Sequence, residues 1–447
     1  MRKWFAVAIV ALMAAHPALA QTSASPSAPP AAASATASPA LLAAVARIVP
    51  WLEGEAAPDA VFADVFLRAI PAEQLRALPQ QLVAQYGAPV SASVEPASPA
   101  SGTLTIRFER GTGSGDVVVG ADGKIAGLLL RSFAATDDSV ARLGQELAAL
   151  HGATAWGLYR LDATGAPQRI AGANSDAHLA IGSAFKLAVL GTLDAEIAAG
   201  RRRWSDVLTL DAKSFPSGTL QTWPTGSPLT LHTLAALMIS ISDNTATDIL
   251  IRALGRERIE RFAAQHGGAS GPNAAPFLTT VEAGVLKSNG ALRDRWLAAR
   301  TAEARRAVLA SAPAGSFTVD RVSMEALAGE RPGDIDRTEW FASPDNMARL
   351  LGWFATRGSS ESRAILGISP TVAEVRPGGW RYVGFKGGSE TGVISTNVLA
   401  QDAAGRWGVL SMHWNDTARA VDNNGFAQMS SRAAELLRAE LARTPAR

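Results

Sequence analysis

One lysine in an otherwise apolar run constrains this chain more than any other feature. From Ala184 onward, Phe185, Leu187, Val189, Leu190, Leu193 and Ile197 make a helix apolar on nearly every face, with Gly200 where a C-cap glycine belongs. Such a helix must be covered on all sides, and Lys186 stands inside it. Only six of the 42 basic residues are lysine, at positions 3, 124, 186, 213, 287 and 386, so a lysine in an apolar segment needs a reason. With 447 residues, 47% hydrophobic and 18% charged, the chain is long enough for two packed domains. It holds no cysteine, which excludes a disulfide scaffold, a thiolate zinc site, an iron–sulfur cluster and a cysteine nucleophile.

The N-terminus predicts a compartment. Arg2 and Lys3 precede an apolar run, Trp4 to Ala15, and Ala18-Leu19-Ala20 has the small-x-small form of a signal-peptidase site. The expectation is a cleaved secretory signal over 1–20 and a periplasmic or secreted protein. A retained anchor is disfavoured, because a span needs about 20 apolar residues. Loss of residues 1–20 removes two positive charges from a net of +2, leaving a neutral chain with no electrostatic case for nucleic acid.

Residues 21–40 contain only Gln, Thr, Ser, Ala and Pro and read as a disordered tether. From Leu41 to Tyr86 apolar residues recur at helical spacing, which predicts two or three helices. Alternation then predicts strands at 103–108, 116–119 and 125–130 around the Gly120-Ala121-Asp122-Gly123 turn. Together 41–134 read as a small α+β accessory domain, similar in element order to nuclear-transport-factor-like or ketosteroid-isomerase-like domains.

The remainder, 135–447, opens with an amphipathic helix near Asp137–His151 and strands Ala155–Asp162 and Gln168–Ala173. Several helices follow to about residue 355, then strands near Arg381–Lys386, Val393–Leu399 and Gly408–His413, and a helix at Gly425–Arg443. Two or three strands alone are marginal in water, so strands from both ends must share one sheet, with the helical middle as an inserted lobe. The cleft between lobe and sheet is the expected site.

Three segments could carry chemistry. Ser183 and Lys186 lie one helical turn apart, so the amine can reach the hydroxyl; burial lowers a lysine pKa, and a neutral amine can take the serine proton. The bland alternative is Ser183 as an N-cap with Lys186 reaching to the surface. Ser242-Asp243-Asn244 sits between helices Leu231–Ile239 and Ala246–Leu254; all three are favoured N-caps, though only Asp243 needs that explanation. Lys386-Gly387-Gly388-Ser389, at the end of a strand, exposes backbone N–H groups and a positive charge, or else is a plain hairpin turn.

Ser-x-x-Lys, Ser-Asp-Asn and a Lys-Gly pair on a strand form the motif set of the serine β-lactamases and penicillin-binding proteins. The chain resembles a class A β-lactamase over roughly 135–445, including the run Ile241 to Ile251 and Ser343-Pro344-Asp345-Asn346-Met347. The resemblance implies a five-stranded antiparallel sheet flanked by helices plus an all-helical lobe, a small acyl substrate, no cofactor and no metal. It implies Ser183 as nucleophile, Lys186 as its base, Ser242 as proton relay, Asn244 on the substrate amide and Lys386 as positive charge. Gly387, Gly388 and Ser389 would line the substrate, with the Ser183 and Ser389 N–H groups as an oxyanion hole.

Two departures stand out. The family's hydroxyl residue after the second lysine is Gly387 here, so a substrate carboxylate must be met by Ser389 or by an arginine such as Arg376 or Arg419. The family's Ω-loop glutamate, which activates the deacylating water, falls on Ser323 or Met324, with Glu325 able to slide into the role or to be a helix-surface charge. A β-lactam or ester hydrolase is the expectation. A D-alanyl-D-alanine peptidase or a non-hydrolytic β-lactam or cell-wall binding protein would carry the same motifs. An α/β-hydrolase is disfavoured, since no serine has glycine at both −2 and +2.

Overall fold

A computed structural model describes residues 36–70, 72–271, 274–371 and 379–443. The expected signal over 1–20 and Arg376 lie outside the described residues, as does most of the expected tether. The chain divides into two compact units, Met1–Ser139 and Val140–Arg447.

The first unit is α+β. A helix, Pro39–Ala46, begins inside the segment expected to be tether; Ser38 accepts a hydrogen bond from Leu41 N and Pro39 sits in the first turn, both strong start signals. Instead of two or three helices there are five helical segments, continuing with Ile48–Leu52, Pro58–Val61, Asp64–Ala69 and Ala72–Tyr86. Helical spacing runs across the breaks at Gly54 and Pro58, so the sequence pattern joins what the backbone separates. A four-stranded antiparallel meander follows, Pro89–Ser98, Ser101–Phe108, Gly111–Val119 and Ile125–Ala135 in spatial order. Its first strand escaped the sequence reading because Pro89 and Pro96 argue against a strand; an edge position tolerates them. Leu41, Ile48, Trp51, Phe62, Leu104, Ile106, Val117 and Ile125 form its core.

The second unit centres on one antiparallel sheet in the order Trp380–Phe385, Val393–Asp402, Trp407–Asn415, Ala153–Leu161, Pro167–Ala173. The first and last thirds of the unit meet where Leu158 pairs with Leu410. The five expected positions hold six strands, because the edge strand is interrupted after Phe385 and resumes as Gly388–Glu390, both pieces pairing with Val393–Asp402.

Both faces of this sheet are covered, so its inner strand Val393–Asp402 is buried almost throughout. On one side Leu158, Val398, Leu410 and Met412 pack with Leu143 and Leu147 of helix Val140–Ala148 and Phe426 and Leu437 of helix Asn423–Ala442. On the other, Tyr159, Leu399 and Val409 pack with Leu350 and Phe354 of helix Pro344–Thr356 and with the central helix Lys186–Ala198. Leu187, Val189, Leu190 and Leu193 of that helix are fully buried, each contributing about 2 kcal/mol of burial. The inserted lobe, from Leu231–Ser240 and Asn244–Leu254 to Thr280–Ser288 and Ala302–Ala310, completes the layer.

Candidate active site

Each motif is placed by a local device. Gly182–Phe185 forms a single 3₁₀ turn leading into helix Lys186–Ala198, so Ser183 precedes the α-helix proper. Gly182 has φ +47°, and a Cβ there would lie 3.0 Å from Ser389 N, so the turn needs glycine for both conformation and space. Gly388 matches it from the strand: a Cβ would meet Ile181 O at 2.2 Å and Ser183 N at 2.4 Å. These two glycines bring the Ser183 and Ser389 amides alongside each other.

Ser242 has φ +58°, a left-handed conformation that costs a non-glycine residue about 1–2 kcal/mol and is kept only where the surroundings impose it. Ser217 Oγ donates to Ser242 O at 2.7 Å, and Lys186 Nζ reaches the same oxygen at 2.7 Å. Asp243, fully buried, caps helix Asn244–Leu254 by accepting from Ala246 N and also accepts from Thr219 N and Leu220 N. The N-cap reading therefore applies to Asp243, leaving its two neighbours for other work.

Lys186 is completely buried, which rules out the surface alternative. Its Nζ contacts Ser242 O at 2.7 Å, Ser242 Oγ at 3.0 Å and Asn244 Oδ1 at 2.6 Å. The amine reaches across to the second motif rather than back to Ser183, and Asn244 spends its carbonyl on Lys186. Burial, reinforced by Lys386, holds Lys186 well below the ordinary lysine range. Lys386 Nζ lies 3.1 Å from Ser242 Oγ and donates to Gly387 O at 2.7 Å; burial pulls it down to about 7. Ser242 Oγ is thus bridged between two amines. If Lys186 is neutral, its two N–H bonds satisfy the two carbonyl-type oxygens and its lone pair faces the Ser242 hydroxyl, a continuous proton path.

These groups open on a cavity of about 730 Å³ lined by Ser183, Ser242, Asn244, Lys386, Gly387, Gly388 and Ser389, together with apolar Phe215, Ile239 and Trp340. The three motifs, 203 residues apart from Ser183 to Lys386, line one cavity.

Glu325 does not join them. It is exposed on the short helix Met324–Ala328 and is not among the cavity-lining residues, whereas Leu327 is. Two residues along a helix turn the side chain by about 200°, so facing Leu327 inward turns Glu325 outward. Arg419 is also elsewhere: its side chain is 65% exposed and lies 3.4 Å from Asp416.

Sequence reasoning missed a second cluster on the same cavity. Lys287 Nζ is bonded to Glu339 Oε1 and to both carboxylate oxygens of Glu390, and all three residues line the cavity. Asp248, buried, accepts from Thr280 N and Val281 N and so fixes the start of the helix that carries Lys287. Burial opposes the charge on Lys287, but Glu339 and Glu390 together hold its pKa above the ordinary lysine range. Burial, then the Glu339 charge, pushes Glu390 up to about 8. The available signal was Lys287 itself, which follows Val285-Leu286 in an apolar helical stretch.

Residues 140–352 match the model of the beta-lactamase enzyme family. The matched stretch lies wholly within the second unit, which is similar to that family over those residues. Solved structures similar to the chain include a β-lactamase from Sphaerobacter thermophilus, at 22% identity over 69% of this chain and 98% of that one, with a TM-score of 0.45. A β-lactamase from Chitinophaga pinensis is similar at 15% identity over 67% and 98%, TM-score 0.45. A protein described as PBP-A is similar at 16% identity over 68% and 96%, TM-score 0.43. No curated protein matches the chain. The matched segment contains Ser183, Lys186, Ser242 and Asn244; Lys386 lies beyond it.

Proposed function

We propose that this protein is an exported serine hydrolase that forms an acyl-enzyme on Ser183 with β-lactam, ester or related acyl substrates. The observation that carries the reading is the pair of buried lysines meeting at Ser242 Oγ, which lines with Ser183 a cavity large enough for a small substrate. Burial has already removed the penalty for a neutral amine at Lys186.

In this reading Ser183 Oγ attacks the carbonyl carbon as its proton passes to Lys186 by way of Ser242 Oγ, the hydroxyl that the Lys186 lone pair faces. The carbonyl oxygen gains negative charge and is met by the Ser183 and Ser389 N–H groups. The C–N or C–O bond to the leaving group then breaks, and Ser242, between Lys186 and Lys386, delivers the proton to the leaving atom. Lys386, with Ser389 beside it, attracts a substrate carboxylate while it holds its proton. Asn244 offers its Nδ2 amide to the substrate, because Oδ1 is engaged by Lys186. The export reading rests on Arg2, Lys3 and Ala18-Leu19-Ala20, and a periplasmic or secreted product whose mass starts at Gln21 would support it.

Labelling with a fluorescent penicillin and with a fluorophosphonate tests the proposal. The expected result is a covalent mark on the wild-type chain that is lost in Ser183→Ala. No mark with either reagent, or an equal mark on Ser183→Ala, overturns it.

A further inference from the structure

An acyl-enzyme must be cleared by water, and that water needs a base. Lys186 is not among the residues that line the cavity, its amine being turned to Ser242 and Asn244, and Glu325 points away from the cavity. Among the described residues, the carboxylates that line the cavity are Glu339 and Glu390. Their exposure separates them: in the buried cluster the side chains of Lys287 and Glu339 are 2% and 3% exposed, whereas that of Glu390 is 16% exposed. Glu390 is the carboxylate that opens on the cleft.

Its position in the chain is equally specific. Glu390 directly follows Ser389, whose amide lies against Gly182, and strand Gly388–Glu390 is held in register by Ser389 opposite Ile394 and Glu390 opposite Val393. Lys287 bonds each Glu390 oxygen once, which fixes the carboxylate while leaving a lone pair on each oxygen for water.

Resting on the acyl-enzyme reading above, we propose that Glu390 is the general base that activates the deacylating water, with Lys287 and Glu339 as its positioning residues. Glu390 takes one proton from water as the water oxygen bonds to the acyl carbon. The resulting oxyanion collapses, the bond from the acyl carbon to Ser183 Oγ breaks, and Glu390 returns the proton to that oxygen. Serine is regenerated and the acyl group leaves as a carboxylic acid. The base thus comes from the strand after the Lys-Gly-Gly turn rather than from the Ω-loop stretch around Glu325. The pKa near 8 suits the task, since a general base is most effective when it titrates close to the working pH. The charged groups that face Glu390 are Lys287 from helix Thr280–Ser288 and Glu339 from the segment before Pro344.

Intact-mass spectrometry of the full chain with benzylpenicillin, followed over time, reads acylation and deacylation separately. Glu390→Gln is expected to acylate at the wild-type rate and to clear its adduct roughly 100-fold more slowly. A wild-type adduct that clears, with Glu390→Gln clearing equally fast, overturns this inference alone. A wild-type adduct that never clears also overturns it and leaves the acyl-enzyme reading standing, whereas no adduct at all overturns both. Should Glu390→Gln fail to fold, the wild-type deacylation rate must still rise with pH through about 8, where Glu390 loses its proton. A profile flat across that range overturns the assignment.

Discussion

Replacing Asp243 with alanine tests whether the second motif is held by its middle residue. The carboxylate accepts three backbone N–H bonds, from Ala246 at 2.8 Å, Thr219 at 2.7 Å and Leu220 at 2.9 Å. Loss of the helix cap costs about 1–2 kcal/mol. Leu220 is buried, so its orphaned amide adds about 1–3 kcal/mol, while Thr219 is exposed and its amide can turn to water at little cost. The sum is about 2–5 kcal/mol, which at its midpoint is a fall in Tm of roughly 8 °C. Every tryptophan except Trp4 and Trp51 lies in the second unit, so fluorescence during urea unfolding of the full chain reports that unit. The damage is also functional, because Ser242 keeps its left-handed backbone only while its neighbours anchor it. Penicillin labelling of Asp243→Ala is expected to slow about 10- to 100-fold, as for a misplacement near 1 Å. A loss below about 1 kcal/mol together with unchanged labelling would refute the reasoning.

Gly388→Ala puts a Cβ 2.2 Å from Ile181 O and 2.4 Å from Ser183 N, so strand and turn must separate; acylation measured by stopped-flow labelling should fall about 100-fold or more. Lys186→Arg puts a permanent charge in place of a group able to lose its proton, and the acylation rate should fall at least about 100-fold. Lys386 titrates at about 7, below its unfolded value, so its charge is present at lower pH and lost as pH rises through 7. kcat/KM for a carboxylate-bearing substrate should therefore decline above that pH while a neutral ester is spared, and Lys386→Met should erase the difference. Lys287→Met strands two buried glutamates and should cost about 3–5 kcal/mol in a urea titration at neutral pH; a near-neutral effect would mean that the ion cluster is not closed in solution.

The central helix and the sheet were legible because their signals are local. An apolar run with one lysine, strands at period two and a capping aspartate each announce themselves over a few residues. The three motifs were legible for a different reason: each is odd in its own setting, and only their combination singles out a cleft. What escaped was long-range. Lys287, Glu339 and Glu390 come from a helix, a loop and a strand separated by 52 and 103 residues, and no short window contains the partners that make each meaningful. The Lys186 contact with Asn244 is hidden in the same way, at a separation of 58 residues, and the sequence spacing favoured its nearer neighbour Ser183. In the first unit the missed features turn on prolines: Pro39 starts a helix inside a stretch whose composition reads as tether, and Pro89 and Pro96 sit on a sheet edge, where proline is tolerated.

The pairing of Ala153–Leu161 with Trp407–Asn415 has a kinetic side. The centre of the sheet joins segments roughly 250 residues apart, so the strand synthesised first waits for one of the last before either is buried on both edges. Such a domain has high contact order and no early resting place for its first strand. Until residue 415 has been made, Trp156 and Leu158 lack the partners that cover them, and the growing chain must be kept from sticking to its neighbours. Slow, late closure of the sheet, with aggregation as the competing outcome, is the folding behaviour this topology imposes.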